Sequence, residues 1–276
     1  MQSSSITALL SGALAGLMVD ISLFPIDTVK TRLQSEAGFW KSGAFRGIYS
    51  GLGSVAVGSA PGAALFFVSY ETSKMELARR SRLGTTTNHM LSSSLAEIVA
   101  CLVRVPSEVI KQRSQAGQGT SLQLFKQTLS VEGLAGFYRG YASTIMREIP
   151  FSVIQFPLWE LIKVHWSKQG EIEPWKSAVS GAIAGSVAAS LTTPLDVAKT
   201  RIMLAQERVG NSEGIWKVLS NIYHTEGVQG LWAGVLPRVL WISIGGFIFL
   251  GVYDTAKYYL GRRSHVNNGP AENYKV

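Results

Sequence analysis

The sequence is poor in the groups that most chemistry requires. It has one cysteine, Cys101, so no internal disulfide can form and the redox compartment stays open. Its four histidines stand apart, with no metal-ligand spacing and no nucleophile–base constellation around them. The residues therefore predict no metal, no cofactor and no enzymatic activity. Charge is scarce at 16% of residues. Met1 to Thr7 lacks the basic leader of a secretory signal, and an Arg-rich transit segment is missing, so the first apolar stretch is expected to be mature protein. The net charge of +8 forms no basic stripe; Lys and Arg fall in pairs between apolar segments. That distribution argues against nucleic acid and leaves anionic lipid or an anionic ligand.

What is abundant points to a membrane. The chain is 46% apolar with 28 glycines, and its mean hydropathy is +0.18. Small residues cluster inside the apolar segments, as suits transmembrane helices packed backbone to backbone. Six segments, near 7–32, 53–79, 88–114, 142–167, 176–203 and 235–260, exceed the ~20 residues that cross a bilayer.

Three strings recur along these segments: Pro25-Ile26-Asp27-Thr28-Val29-Lys30-Thr31-Arg32, Pro106-Ser107-Glu108-Val109-Ile110-Lys111-Gln112-Arg113 and Pro194-Leu195-Asp196-Val197-Ala198-Lys199-Thr200-Arg201. Their prolines are 81 and 88 residues apart, so the chain is three copies of one unit. The predicted repeats span 7–79, 88–167 and 176–260, within a single transmembrane domain over 1–276 and ahead of a polar tail over 262–276. Two helices per repeat make the repeats parallel, related by a pseudo-threefold axis along the membrane normal. The fold class expected is an all-α membrane protein of six transmembrane helices.

Further signatures keep the register. Gly12 and Gly16 precede Pro25 by 13 and 9 residues, and Gly181 and Gly185 precede Pro194 by the same distances. Each proline removes a helical hydrogen bond and should kink its helix. The even segments end on Tyr70-Glu71-Thr72-Ser73-Lys74, Trp159-Glu160-Leu161-Ile162-Lys163 and Tyr253-Asp254-Thr255-Ala256-Lys257, with acid and base on one helical face. Between the helices, Glu132-Gly133 leads to Gly136-Phe137-Tyr138-Arg139-Gly140, and Glu226-Gly227 to Gly230-Leu231-Trp232-Ala233-Gly234. The first repeat keeps Gly47-Ile48-Tyr49-Ser50-Gly51 but has Gly43-Ala44 in place of acid-glycine. Short surface helices are expected within 116–130 and 208–224. One charged pair near a helix end is commonly a snorkelling pair. Three at one spacing on odd helices and three more on even helices instead predict two rings of charge that close by salt bridges between repeats.

The tripled Pro-x-acid-x-x-base-x-Arg string resembles the mitochondrial carrier family over about residues 7–260. The resemblance implies a six-helix bundle in the mitochondrial inner membrane, both termini toward the intermembrane space, and alternating access between two gates. It implies a monomer in contact with membrane lipid, cardiolipin included. The matrix gate maps to Asp27, Lys30, Glu108, Lys111, Asp196 and Lys199, braced by Gln34 and Gln115 nine residues after the prolines; Met203 replaces the third brace. The cytoplasmic gate maps to Glu71, Lys74, Glu160, Lys163, Asp254 and Lys257. Tyr70 and Tyr253 brace it, with Trp159 in the second repeat.

Structure should repeat, whereas an asymmetric substrate should not be read symmetrically. Counting back nine from each proline gives Gly16, Glu97 and Gly185; five back gives Asp20, Cys101 and Ala189; two back gives Leu23, Arg104 and Thr192. Counting back from the even-helix acids, 13 residues give Gly58, Arg147 and Trp241, 12 give Ser59, Glu148 and Ile242, and five give Phe66, Gln155 and Phe249. The substrate-binding candidates are therefore Asp20, Glu97, Arg147, Glu148, Gln155 and Trp241, since charges at mid-membrane depth are costly to place. Arg104 is unmatched too. The structural alternatives are private ion pairs, Arg104 with Glu97 or Glu148 with Arg147, and packing for Trp241 and Gln155.

Few unpaired bases make a polyphosphate cargo a poor fit. A carboxylate for Arg147 and a positive centre for the acids describe an amino acid, or an amino acid with an extra cation. In this family an arginine–acid pair at that fourth-helix position resembles the amino-acid-type carriers. Three readings follow: an exchanger for such a substrate, a proton or ion leak relayed by Asp20 and Glu97, and a soluble helical-repeat scaffold.

Overall fold

The computed structural model describes residues 2–80, 84–166, 174–205 and 214–245. Their helices run α1 Gln2–Gln34, α2 Gly38–Lys41, α3 Leu52–Arg80, α4 Thr85–Gln115, α5 Ser121–Gln127, α6 Tyr141–Trp166, α7 Pro174–Leu204, α8 Ile215–Leu231 and α9 Val235–Gly245. No strand occurs among them. The six long segments read from the sequence become α1, α3, α4, α6, α7 and α9; the helix ends of the first five move by at most five residues. Residues 246–260 of the sixth, with Tyr253, Asp254 and Lys257, and the tail over 262–276 lie outside the described residues, as do the surroundings of Gly12 and Gly16. The surface helices appear as α5 and α8.

Pro25, Pro106 and Pro194 lie inside α1, α4 and α7, which continue through them. Hydroxyls supply local bonds near the third: Thr192 and Thr193 donate to the carbonyls of Ala188 and Ala189, at 2.7 Å each. Two described helices carry windows apolar and long enough to span by composition, Leu52–Arg80 and Ala178–Leu204. α4 and α6 carry Glu97, Arg104, Arg147 and Glu148 in their middles, which lowers their hydropathy. Their apolar residues still point outward: Leu91, Leu95, Leu102, Ile149 and Val153 are exposed, as lipid-facing side chains must be.

The repeats join head to tail in a closed cycle. Gly51, Gly140 and Gly234 end the three loop signatures, all at positive φ (93°, 81° and 74°). A Cβ on Gly51 would lie 2.9 Å from the Lys111 carbonyl oxygen, on Gly140 2.8 Å from Met203 Cγ, and on Gly234 3.2 Å from Gln34 Cγ. Each loop glycine thus seats one repeat against the next, and the third against the first. Only glycine meets both demands, of φ and of space.

The motif arginines close the same cycle one layer below. Arg32 Nε donates to the Gln115 carbonyl at 2.7 Å, Arg113 Nε to that of Met203 at 3.0 Å, and Arg201 Nε to that of Gln34 at 3.2 Å. Their other nitrogens reach back into their own loops. Arg113 makes a two-pronged pair with Glu132 (2.6 and 3.1 Å), and Arg201 one with Glu226 (2.6 and 2.7 Å). In the first repeat, where Gly43-Ala44 replaces the acid, Arg32 donates instead to the carbonyls of Ala44 and Gly47. The loop presents oxygen without charge, and Ala44 accepts a left-handed φ of 46° to do so.

Arg113 and Glu132 are nearly inaccessible, with side-chain exposures of 1% and 3%, and Arg139 adds a third bond to Glu132 at 3.0 Å. Breaking such a buried pair from one side leaves an uncompensated charge, so Arg113→Ala is expected to cost about 3–5 kcal/mol. Thermal unfolding of the detergent-solubilised protein should register the loss, whereas Glu76→Ala, which breaks an exposed pair with Arg80 one turn on along α3, should stay near wild type.

Candidate functional site

The layer above the arginines is a ring of six charges. Lys111 of α4 contacts Asp27 of α1 at 2.6 Å, Lys199 of α7 contacts Glu108 of α4 at 2.6 Å, and Lys30 of α1 contacts Asp196 of α7 at 2.7 Å. Every bond crosses from one repeat to the next, so the odd helices are tied together at this end. Two corners carry glutamines. Gln115 Nε2 donates to Asp27 at 3.0 Å while Thr31 donates to its oxygen at 2.9 Å. Gln34 Nε2 donates to Asp196 at 2.8 Å and accepts from Thr200 at 2.8 Å. At the third corner Met203 turns into an apolar cluster with Cys101, Val105 and Val109. There Gln112, one turn after Glu108 on α4, donates to that carboxylate at 3.1 Å. It stands at a lysine's neighbour rather than at the brace position, so counting from the proline does not find it.

The opposite ring is not closed across repeats among the described residues. Glu71 and Lys74 approach only each other, at 4.0 Å along α3, and remain exposed. Lys163 lies 3.8 Å from the centre of the Trp159 ring, and Lys74 lies 5.7 Å from that of Tyr70. The cations rest on their own aromatic neighbours, a contact open to both Trp and Tyr. With this ring shut, the odd helices close the bundle at that end.

The shut ring floors a cavity of about 470 Å³. Its wall carries Asp20 and Asp27 of α1, Arg104 and Glu108 of α4, Arg147, Glu148 and Phe151 of α6, Asp196 and Lys199 of α7, and Arg238, Trp241 and Ile242 of α9. Asp20, Arg147, Glu148 and Trp241 are thereby brought together. Glu97 and Gln155 are not among the lining residues. Glu97 is drawn aside by Arg104, which contacts it and reaches on to Glu148 at 3.1 Å. Gln155 lies against the α7 backbone: a Cβ on Gly185 would stand 3.5 Å from its Nε2. Both private ion pairs weighed from the sequence exist, and the further contact of Arg104 with Glu148 joins them. Glu148 sits between Arg104 and Arg147.

Asp196 is the crowded corner. Besides Lys30, Arg147 Nε lies 3.4 Å from its Oδ1 and Arg238 Nη1 lies 3.4 Å from its Oδ2. Arg238, 3% exposed, also donates to the Thr192 carbonyl at 3.2 Å and the Thr192 hydroxyl at 2.9 Å. It was not among the candidates read from the sequence. The signal was present: 16 residues before the even-helix acids stand Val55, Thr144 and Arg238. Two before the prolines stand Leu23, Arg104 and Thr192, so repeats two and three carry the same arginine–threonine pair on exchanged helices.

The arrangement suits reversible electrostatic work. An arginine fork binds a carboxylate through two bonds; Arg147 now donates to Glu148 through Nη2, while its buried Nε stands 3.4 Å from the ring acid Asp196 without a hydrogen bond. An incoming carboxylate would compete with both. The volume lies within the roughly 300–1,000 Å³ of small-molecule sites.

Comparison with known proteins agrees with this architecture. The profile of the mitochondrial carrier protein family matches residues 2–81, 83–170 and 170–264. A Xenopus tropicalis protein named mitochondrial S-adenosylmethionine carrier protein is 57% identical over 254 residues, covering 91% of this chain and 94% of its own length. The Mus musculus protein of the same name is 54% identical over 267 residues, covering 93% and 97%. A Saccharomyces cerevisiae protein named putative mitochondrial carrier protein PET8 is 49% identical over 272 residues, covering 92% and 94%. With three repeats joined in a cycle, a ring of inter-repeat ion pairs and these relatives, the chain belongs to the mitochondrial carrier family, as a multi-pass protein of the mitochondrial inner membrane.

Proposed function

We propose that the protein exchanges cytosolic S-adenosylmethionine for matrix S-adenosylhomocysteine by alternating access between its two charge rings. The observation that carries this reading is the wall above the shut ring, where residues unmatched between repeats converge: Asp20, Arg147, Glu148 and Trp241. S-adenosylmethionine offers a carboxylate, an ammonium, a sulfonium and an adenine. Arg147 suits the carboxylate, the acids suit the cations, and Trp241 presents a face on which a purine can stack. The names of the relatives at 54% and 57% identity support the same substrate.

The gate follows from competition. While the cavity is empty, Arg147 and Arg238 add their charge to Lys30 around Asp196. A substrate carboxylate on Arg147 withdraws one of these cations, and its ammonium, near Glu148, draws that acid from its arginines. Each such charge-assisted hydrogen bond is worth about 1.5–3 kcal/mol. A few of them balance the opening of a ring whose three pairs trade attraction against desolvation. Glu71, Lys74, Glu160 and Lys163, with Asp254 and Lys257, would then close the other end. No covalent bond changes.

The test is uptake by the purified protein in liposomes loaded with unlabelled substrate. Labelled S-adenosylmethionine should enter saturably, and amino acids that lack the adenosyl group, such as methionine or arginine, should compete weakly. Uptake of another amino acid but not of S-adenosylmethionine would overturn the assignment. Proton conductance under voltage without substrate would favour a leak, a pathway disfavoured by the pairing of Glu97 with Arg104.

A further inference from the structure

One carboxylate on the cavity wall is left over. Asp27, Glu108 and Asp196 are held in the ring, and Glu148 lies between two arginines. Asp20 lines the same space, half-buried, yet among the described residues it makes no hydrogen bond and no ion pair. It lies seven residues before Asp27, two turns along the same face of α1. A charge at that depth with no partner is costly, so it is expected where a ligand completes it.

The missing partner has a definable chemistry. An ammonium carries N–H donors and suits a carboxylate within a hydrogen-bonded group such as Glu148 with its arginines. A trialkyl sulfonium has no donor at all. It is held by an uncommitted charge and by an aromatic face. Trp241 supplies such a face on the same wall. Gly245, one turn after Trp241 on α9, packs on the α1 residues that flank Asp20: a Cβ there would meet Leu23 Cδ1 at 3.2 Å and Val19 Cγ1 at 3.8 Å. The Trp241 side of α9 is thus laid against the turn of α1 that carries Asp20.

We infer that Asp20, with Trp241 beside it, is the sulfonium subsite, and that Asp20 discriminates the methylated substrate from its demethylated product. The inference rests on the S-adenosylmethionine reading and assigns the roles of its acids: Glu148 takes the ammonium, Asp20 the sulfonium. S-adenosylhomocysteine keeps the carboxylate, ammonium and adenine but leaves Asp20 uncompensated. It is therefore bound less tightly in a cavity otherwise matched to it. Exchange then runs with a built-in preference at each face, set by one charge.

The experiment compares labelled S-adenosylmethionine and labelled S-adenosylhomocysteine as separate substrates of wild type, D20N and D20E in preloaded liposomes. Asp20→Asn keeps size and polarity and removes the charge. It should lower the preference for the sulfonium substrate about tenfold, as loss of one partly solvated ion pair would. The change should lie in the apparent KM for S-adenosylmethionine, with a smaller change for S-adenosylhomocysteine; thermal unfolding of the detergent-solubilised variants is the control for folding. Asp20→Glu should retain most of the preference. An equal loss for both substrates, or an unchanged preference in D20N, would overturn the subsite while leaving the transport reading standing. Wild-type protein that takes up neither substrate would overturn both.

Discussion

Alanine at Arg147 or at Glu148 is expected to abolish uptake while the protein still inserts in the membrane. The two side chains contact each other, are only 15% and 17% exposed, and extend the network to Asp196 and Arg104. Arg147→Ala removes the fork that would take the substrate carboxylate and leaves Glu148 with Arg104 alone. Glu148→Ala removes the acid whose Oε1 both Arg104 and Arg147 contact, leaving two neighbouring cations that repel and hold an anion without release. Truncating one partner of a buried, hydrogen-bonded charge pair costs about 2–5 kcal/mol, or at least thirtyfold in binding. Arg147→Lys should rescue little, because a single ammonium cannot address Glu148 and Asp196 in two directions. Uptake measured beside carbonate-resistant membrane insertion separates loss of transport from loss of protein. Normal uptake by both alanine variants would refute the placement of the substrate.

The second large effect distinguishes the corners of the shut ring. Lys199→Glu sets an acid against Glu108 at a position 3% exposed, and transport should fall below detection. The double variant Glu108→Lys/Lys199→Glu restores opposite charges, and uptake should recover to about a tenth of wild type or more, since the pair's attraction is symmetric in sign. The equivalent swap at Lys30 and Asp196 should not recover. A lysine at 196 would face Arg147 and Arg238, each 3.4 Å from the present carboxylate, and the single acid then at 30 would have three cations to offset. The measurement is initial uptake for the three single reversals and their double variants. Equal recovery at all corners would mean that Arg147 and Arg238 do not act on the ring.

The periodicity of the prolines carried most of the architecture. Distance from Pro25, Pro106 and Pro194 sets depth along the bundle, and so the ring acids and ring lysines could be named in advance; the two glutamines were implied by the family resemblance. Depth does not say which neighbour a long side chain will choose. Glu97 sits at a level suited to the cavity, yet Arg104, seven residues on along the same face, holds it off the wall. Gln155 shares the level of Phe66, and it turns toward the close approach at Gly185 instead. Arg238 escaped because its level was not counted, although Val55 and Thr144 in the other repeats mark it as unmatched. The loop lacking an acid shows the converse. A sequence departure at Gly43-Ala44 left the arginine contact in place, because carbonyl oxygens do the work of a carboxylate for a guanidinium. Likewise Met203 loses the side-chain brace but keeps the carbonyl that receives Arg113.

In the proposed exchange a bound substrate, and only a bound substrate, converts one closed ring into the other. Counter-exchange tests it most directly. Liposomes holding the purified protein are loaded with S-adenosylhomocysteine, diluted, and offered labelled S-adenosylmethionine. Label should accumulate only in loaded vesicles, with matching efflux of S-adenosylhomocysteine; label that enters empty vesicles at the same rate, or efflux without external substrate, would contradict it.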